Sequence, residues 1–417
     1  MPTAEGSVSQ RVLFITPQLP YPPEQGTAIR NYNLLAQVSR EHRVALLAFA
    51  QRPATPAELA QLQTLCERVV TVPAPTRTLA DRLCTLALSR EPDMARRLWS
   101  EAFWRELEAL IAEWQPDVVE VEGIELGRYA RLLRARHGPR PAIVFDDHNA
   151  EYLLQERAAR TDLRQPRRWL KAAYSLVQAR RLRRFEAQLC READAVVAVS
   201  PEDARAIEAI APGVAVLTVP NGVDTARYHP GLPDTLPLAH PAVVFTGKMD
   251  FRPNIDAMLW FAQEAWPRVL AARPDARLYI VGKSPTPAVV ALGERPGICV
   301  TGYVEDILPY FGGADVYVVP LRVGGGTRLK VLEAMAAGLP LVSTTLGVEG
   351  IALTPGREAL LADTPEALAD EVLALLADRE RAAALGQAAR AFVERHYDWS
   401  TIAPPLIALL GQLPRER

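Results

Sequence analysis

The chain has 417 residues, 49% of them hydrophobic and 23% charged, and a formal net charge of −2. That length bounds the molecule at two or three domains, and the balance excludes a disordered or collagen-like chain. The near-zero charge supplies no global field for nucleic acid, so no nucleic-acid partner is expected.

The opening MPTAEGSVSQ lacks a basic stretch and an apolar stretch, so no secretory signal is expected and a cytoplasmic location is. Apolar segments then alternate with helix-length segments. In the first half they fall at 12–16, 44–49, 69–72, 118–121, 143–145, 195–199 and 215–219. In the second half they fall at 243–246, 277–281, 298–301, 316–319, 341–344 and 359–362. All are rich in Val, Ile and Leu and nearly unbroken, as strands buried on both faces by helices are. None approaches the ~18 residues that cross a bilayer. Alternating strands and helices imply parallel, doubly wound sheets, hence an α/β chain with two Rossmann-like domains. The segment 227–241, RYHPGLPDTLPLAHP, holds four prolines and no periodicity, so it reads as the linker. The expected domains are therefore 1–226 and 242–395, with a last helix near 396–417 packing back on the first.

The stretch from Arg157 to Arg191 carries eleven Lys or Arg against Asp162 and Glu186. It offers a peripheral contact for an anionic membrane, at the inner face if the protein is cytoplasmic, or an ordinary solvated helix face. Its arginines at 180, 181, 183 and 184 spread around a helix, without an apolar wedge, which favours the solvated face. Cys66, Cys84, Cys190 and Cys299 stand apart with no CxxC pair, so buried thiols are expected rather than disulfides or zinc. Lysine is scarce: only Lys171, Lys248, Lys283 and Lys330 occur. Three of them adjoin glycines or turns, where a compact cation suits a phosphate oxygen.

The stretch 319–345, VPLRVGGGTRLKVLEAMAAGLPLVSTT, is the most informative. A strand ends, Gly324, Gly325 and Gly326 let the backbone approach a ligand, and Thr327 is placed to cap a helix from Arg328 to Ala337. A helix N-terminus favours an anion, and Arg328 and Lys330 sit where the helix dipole disfavours cations. A bound diphosphate would reconcile the two. Glu333, one turn on, can take the hydroxyls of a ribose. His148 follows the strand at 143–145 among Asp146, Asp147, Asn149 and Glu151, a polar setting that suits a cleft rather than a core. Asp146 and Asp147 beside it raise a metal reading, but no second ligand set accompanies them and no metal is expected.

GGGTRLKVLEAMAAGLPLVST resembles the donor-binding segment of the retaining glycosyltransferases of family 4, which have the GT-B fold, and in particular a branch similar to sugar transferases of exopolysaccharide loci. PQLPYPPEQGTAIR, FDDHNAEY, VPNGVDTARYHP, FTGKMDFRPNIDAMLWF and TGYVEDILPYFGGADVYVVP resemble further family segments in the same order. The resemblance implies two Rossmann-like domains facing across a cleft and a metal-independent, retaining hexosyl transfer from a UDP- or GDP-linked sugar to a hydroxyl acceptor, with no cofactor beyond that co-substrate. It places the base near Gly282, Tyr303 and Val304, and the ribose at Glu333. The diphosphate falls to Lys248, Arg328 and Lys330, and the sugar to Gly324–Thr327 with His148; Gly26 lets a first-domain loop approach. Lys248, Arg328 and Lys330 would stabilise the departing diphosphate, and His148 would position the sugar. Two departures stand out: Gly325 occupies the place of the family's first glutamate, and Pro253 that of a common basic residue, for which Arg328 and Lys330 would substitute. The rival readings are a nucleotide-sugar epimerase of GT-B-like fold and a non-catalytic nucleotide-sugar binder. The acceptor is expected on the first domain, with Arg30 and the arginine-rich stretch as candidates.

Overall fold

The computed structural model describes residues 9–78, 81, 85, 89–163, 169–324, 326 and 328–413. The chain divides into two compact units, Met1–Pro220 with Ile402–Arg417, and Asn221–Thr401.

The first unit contains β1 (Arg11–Thr16), β2 (Arg43–Ala50), β3 (Arg68–Pro73), β4 (Val118–Glu122), β5 (Ala142–Asp147), β6 (Ala195–Ala198) and β7 (Val216–Thr218). They form one parallel sheet in the order β3-β2-β1-β4-β5-β6-β7. Residues alternate between sheet faces. Val119, Val121, Ile143 and Phe145 join the large core on one face. The helix Gly26–Val38 buries Leu34, Leu35 and Val38. The last helix, Pro404–Gln412, belongs to this unit: Ile407 O meets His42 Nε2 at 3.1 Å, and Gln10 Nε2 donates to Leu413 O at 2.9 Å.

The second unit contains β8 (Ala242–Thr246), β9 (Arg277–Val281), β10 (Ile298–Gly302), β11 (Val316–Val319), β12 (Leu341–Ser343) and β13 (Leu360–Leu361). Its parallel sheet runs β10-β9-β8-β11-β12-β13. In both sheets the strand order reverses beside the first strand, which is the switch point where doubly wound sheets bind ligands. Two such α/β units make the GT-B fold.

Three expectations change here. The segment 227–241 is not a free linker: Tyr228 and Leu232 are buried in the second core, because these apolar side chains anchor a proline-rich run that makes no helix or strand. The arginine-rich helix Trp169–Glu192 does carry apolar surface, since Trp169, Leu176 and Val177 are exposed. Arg180, Arg183 and Arg184 are exposed and Arg181 is half-buried, so the spread read from sequence is narrower than it looked. Finally, Cys66 and Cys190 are buried, and burial pushes both thiols up to about 12, whereas Cys299 is exposed; Cys84 lies outside the described residues.

Candidate functional site

In the second unit, β8 and β9 are each followed directly by a Gly-Lys pair, Gly247-Lys248 and Gly282-Lys283. The two glycine backbones touch. A Cβ on Gly282 would lie 1.8 Å from Gly247 O, and its φ of +146° is one that side chains resist. Gly247 N donates to Val281 O at 3.0 Å, so the ladder continues past the strand ends.

Lys330 reaches this junction. Its helix, Leu329–Ala336, begins after Arg328, whose side chain makes no capping bond. Gly338, with φ +71°, follows its C-terminus. Lys330 Nζ donates to Asn254 Oδ1 at 2.8 Å and lies 4.1 Å from the Phe245 ring centroid. Asn254 Nδ2 in turn donates to Lys248 O at 2.8 Å, so one amide ties the Gly247-Lys248 turn to the lysine. A Cβ on Gly247 would come within 2.6 Å of Nζ, so the missing side chain is what admits the ammonium. Burial pushes Lys330 down to about 7, against the opposing pull of Glu333, and the charge of Arg328 pushes the same way as burial.

The other donor-side groups have unequal settings. Arg328 is buried, 3.8 Å from Glu349, and its Nη1 would lie 3.3 Å from a Cβ on Gly324. Gly324 has φ +122° and backs onto Pro253, whose Cγ would lie 3.1 Å from a Cβ there. Lys248 is exposed and pairs with Asp250 at 3.3 Å. Glu333 accepts from Tyr228 Oη at 3.3 Å; burial raises its carboxyl and the tyrosine bond opposes that. Tyr303, 67% exposed, and the half-buried Val304 follow β10. Gly326 has φ +83°, while Gly325 and Thr327 lie outside the described residues.

In the first unit, β4 and β5 pair Glu122 with Asp146. Alternation sends Glu120, Glu122 and Asp146 to the same face and Asp147 to the other. There Asp147 meets Glu186, and burial and that neighbour raise its carboxyl. The adjacent acids of FDDH therefore cannot act together. Arg30, from Gly26–Val38, donates through Nε and Nη2 to Asp146 Oδ2 at 3.0 and 2.7 Å, and through Nη1 to Val219 O at 3.0 Å. At 2% exposure it braces the fold and offers no surface to an acceptor, contrary to expectation. Gly26 itself is the exposed first residue of that helix. His148, just past β5, meets Glu122 Oε2 through Nε2 at 2.7 Å. Atoms of Glu122, Asp146 and His148 lie within 4.8 Å of one another. The Arg30 guanidinium and the His148 imidazole already stand against the two carboxylates, in the charge-balancing places.

The N-terminal half, residues 25–227, matches a family model described as Glycosyltransferase Family 4, and residues 240–378 match one described as Glycosyl transferases group 1. Two glycosyltransferase models thus match successive stretches of the chain, each over less than half of it. A GDP-mannose-dependent monoacylated alpha-(1-6)-phosphatidylinositol monomannoside mannosyltransferase of Corynebacterium glutamicum is 28% identical over 47% of this chain and 56% of its own length. A phosphatidyl-myo-inositol mannosyltransferase of Mycobacterium tuberculosis is 32% identical over 47% of this chain and 53% of its own. The chain thus spans about half the length of the curated relatives it matches. Among solved structures, the sucrose-phosphate synthase of Thermosynechococcus elongatus superposes with a TM-score of 0.70 at 20% identity, covering 97% of this chain and 99% of that one. Anabaena HepE in complex with UDP and glucose gives 0.64 at 14% identity, covering 97% and 100%. These two likenesses concern the fold.

The first unit also holds a cavity of about 470 Å³. Arg77, Arg97, Glu151, Gln155, Tyr174 and Gln178 are among its lining residues. Burial raises the Glu151 carboxyl to about 7, and the charge of Glu125 adds to that rise. Sequence reasoning missed Gly247, Asn254, Glu122 and the bracing role of Arg30. Only Glu122 left a signal: acids at alternate positions of VEVEG, in an otherwise apolar strand, must find partners when buried.

Proposed function

We propose that this protein transfers a hexose from a nucleotide-diphosphate sugar to a hydroxyl acceptor, with retention at the anomeric carbon and no metal ion, in the synthesis of a cell-surface polysaccharide or glycoconjugate. The observation that carries this reading is Lys330, drawn by Asn254 over the Gly247–Gly282 junction. Negative charge grows on the diphosphate as its bond to the anomeric carbon breaks, and a fixed cation stabilises that charge more than it stabilises the ground state. Arg328 and Lys248 add to the same field, and Glu333 takes the ribose. On the first unit, His148 serves the sugar, and the cavity beside Glu151 receives the acceptor.

The donor to test first is GDP-mannose, because mannosyltransferase relatives are named for it. Purified protein, labelled GDP-mannose or UDP-glucose and a lipid extract are expected to yield a labelled glycolipid and free nucleotide diphosphate. Donor isomerisation without acceptor would make the protein an epimerase, and binding without any conversion would make it a binder.

The acceptor is proposed to be membrane-borne. Among the described residues no helix is long and apolar enough to cross a membrane, so contact would be peripheral. Trp169, Leu176 and Val177, followed at helical spacing by Arg180, Arg183 and Arg184, present an apolar and then a basic stretch on one exposed face. Flotation is expected with vesicles containing anionic lipid and not with neutral ones. Each arginine changed to glutamine should weaken binding about fivefold; equal flotation with both vesicle types would remove the reading.

A further inference from the structure

The buried acids beneath His148 pose a problem of charge. Glu120, Glu122 and Asp146 are inaccessible to solvent. An ionised carboxylate in such a place persists only beside a cation or enough N–H donors. Asp146 has Arg30. Glu120 faces Glu122 and Asp146, and burial together with those neighbours raises its carboxyl well above the usual range. Glu122 has two partners. The Asn31 amide, turned so that its nitrogen faces the carboxylate, donates to Oε2 at 2.9 Å and to Thr27 O at 3.1 Å. Nε2 of His148 lies 2.7 Å from the same oxygen; burial and the charge of Asp146 raise the Glu122 carboxyl, and the bond to His148 opposes that rise.

The ring is held by that one nitrogen. The other, Nδ1, lies beside Gly123, where a Cβ would come within 3.6 Å of it and within 2.9 Å of Glu125 Oε2. Gly123 has φ +86°, a backbone that suits glycine, so no side chain enters beside the ring at this position. The side chain of His148 keeps 16% exposure although Glu122 keeps none.

We infer that Glu122 is a positioning residue: its carboxylate binds the Nε2–H of His148, fixes the ring, and leaves Nδ1 as the nitrogen presented to the reacting sugar. The inference rests on the reading of His148 as a reaction-site group. It adds an orienting partner and a defined nitrogen, as orienting carboxylates do for catalytic imidazoles elsewhere. The charges around the ring set its protonation. Burial pushes the imidazole down, and the hydrogen bond and charge of Glu122 with the charge of Asp146 push it up further, for a net rise; Arg30 opposes them. Burial raises the Glu120 carboxyl, Glu151 lies on the helix Glu151–Leu163, and Glu125, whose Oε2 lies on the same side as Nδ1, is engaged by Arg97. The imidazole therefore keeps its second proton on Nδ1 further up the pH scale than a free histidine, and Nδ1–H donates to the substrate.

The test is nitrogen NMR of the imidazole in the full chain with labelled histidine, assigned by His148→Gln. In the wild type the neutral ring is expected as the Nε2–H tautomer, with a midpoint above that of free histidine. Glu122→Gln, which keeps an acceptor but loses the charge, should lower that midpoint by about one pH unit or more. It should also move the basic limb of the kcat profile down by the same amount, with donor KM within about twofold. A wild-type Nδ1–H tautomer, or a midpoint unmoved in Glu122→Gln, overturns the inference, and the wild-type spectrum decides it even if the variant does not fold. Normal turnover in His148→Gln would instead sink the reading of His148 itself, whatever the spectrum shows.

Discussion

Lys330→Ala is expected to lower kcat by about 10²–10³-fold, the usual loss when one preorganised group facing developing charge is removed. The geometry says why this lysine should dominate its neighbours. Lys248 is exposed and already pairs with Asp250, so water and a carboxylate dilute its field. Lys330 is walled by Phe245 and fixed by Asn254, and no reorganisation is needed when the diphosphate arrives. The helix Leu329–Ala336 is anchored by Val331, Leu332, Ala334, Met335 and Ala336, all buried, so the fold should survive the change. Circular dichroism checks the fold and steady-state kinetics check the rate. Asn254→Ala should lose less, because the ammonium remains but is no longer held. If Lys330→Ala turned over within about threefold of wild type, leaving-group stabilisation would have to come from elsewhere.

The sheets were legible because strands covered on both faces are forced to be apolar along their length, and each of the apolar segments read from sequence lies on a strand of one of the two sheets. The turn chemistry was legible too: Gly324, Gly326 and Gly338 occupy positive φ values, which side chains resist. Pairings across the fold were not. Lys330 and Asn254 are 76 residues apart, and neither carries a local mark of the other. Glu122 and His148 are 26 apart and meet only because β4 and β5 are neighbours. Arg30 looked like a surface candidate because arginine usually is one; its burial follows from the position of Asp146 on the adjoining strand, which sequence spacing does not reveal. The prolines of 227–241 signalled irregular backbone correctly, but irregular backbone can still anchor, as Tyr228 does beneath Glu333.

Nucleotide-sugar binding should weaken as pH rises above about 7, by up to tenfold per unit. Lys330 is held down to about 7 in the ligand-free protein, first by burial and further by Arg328. A diphosphate supplies the negative charge this site lacks and so favours the ammonium form. Below pH 7 the lysine is already charged and binding takes up no proton. Above it the ligand must pull a proton onto Nζ, and linkage converts that uptake into a tenfold loss per unit until the bound-state value is passed. A nucleotide sugar is the right probe, because its diphosphate diester does not titrate in this range. Calorimetry at pH 8 in buffers of different ionisation enthalpy should report uptake approaching one proton. The folded protein alone shows the companion effect. Its lysine is depressed relative to the unfolded chain, so this group adds stability as pH climbs from about 7 towards the ordinary 10.5, and takes that stability away as pH falls back through 7. Lys330→Arg separates this cause from any other, since a guanidinium stays charged throughout and should flatten the binding profile. A wild-type affinity that stays constant from pH 6.5 to pH 9 would mean that Lys330 does not touch the diphosphate.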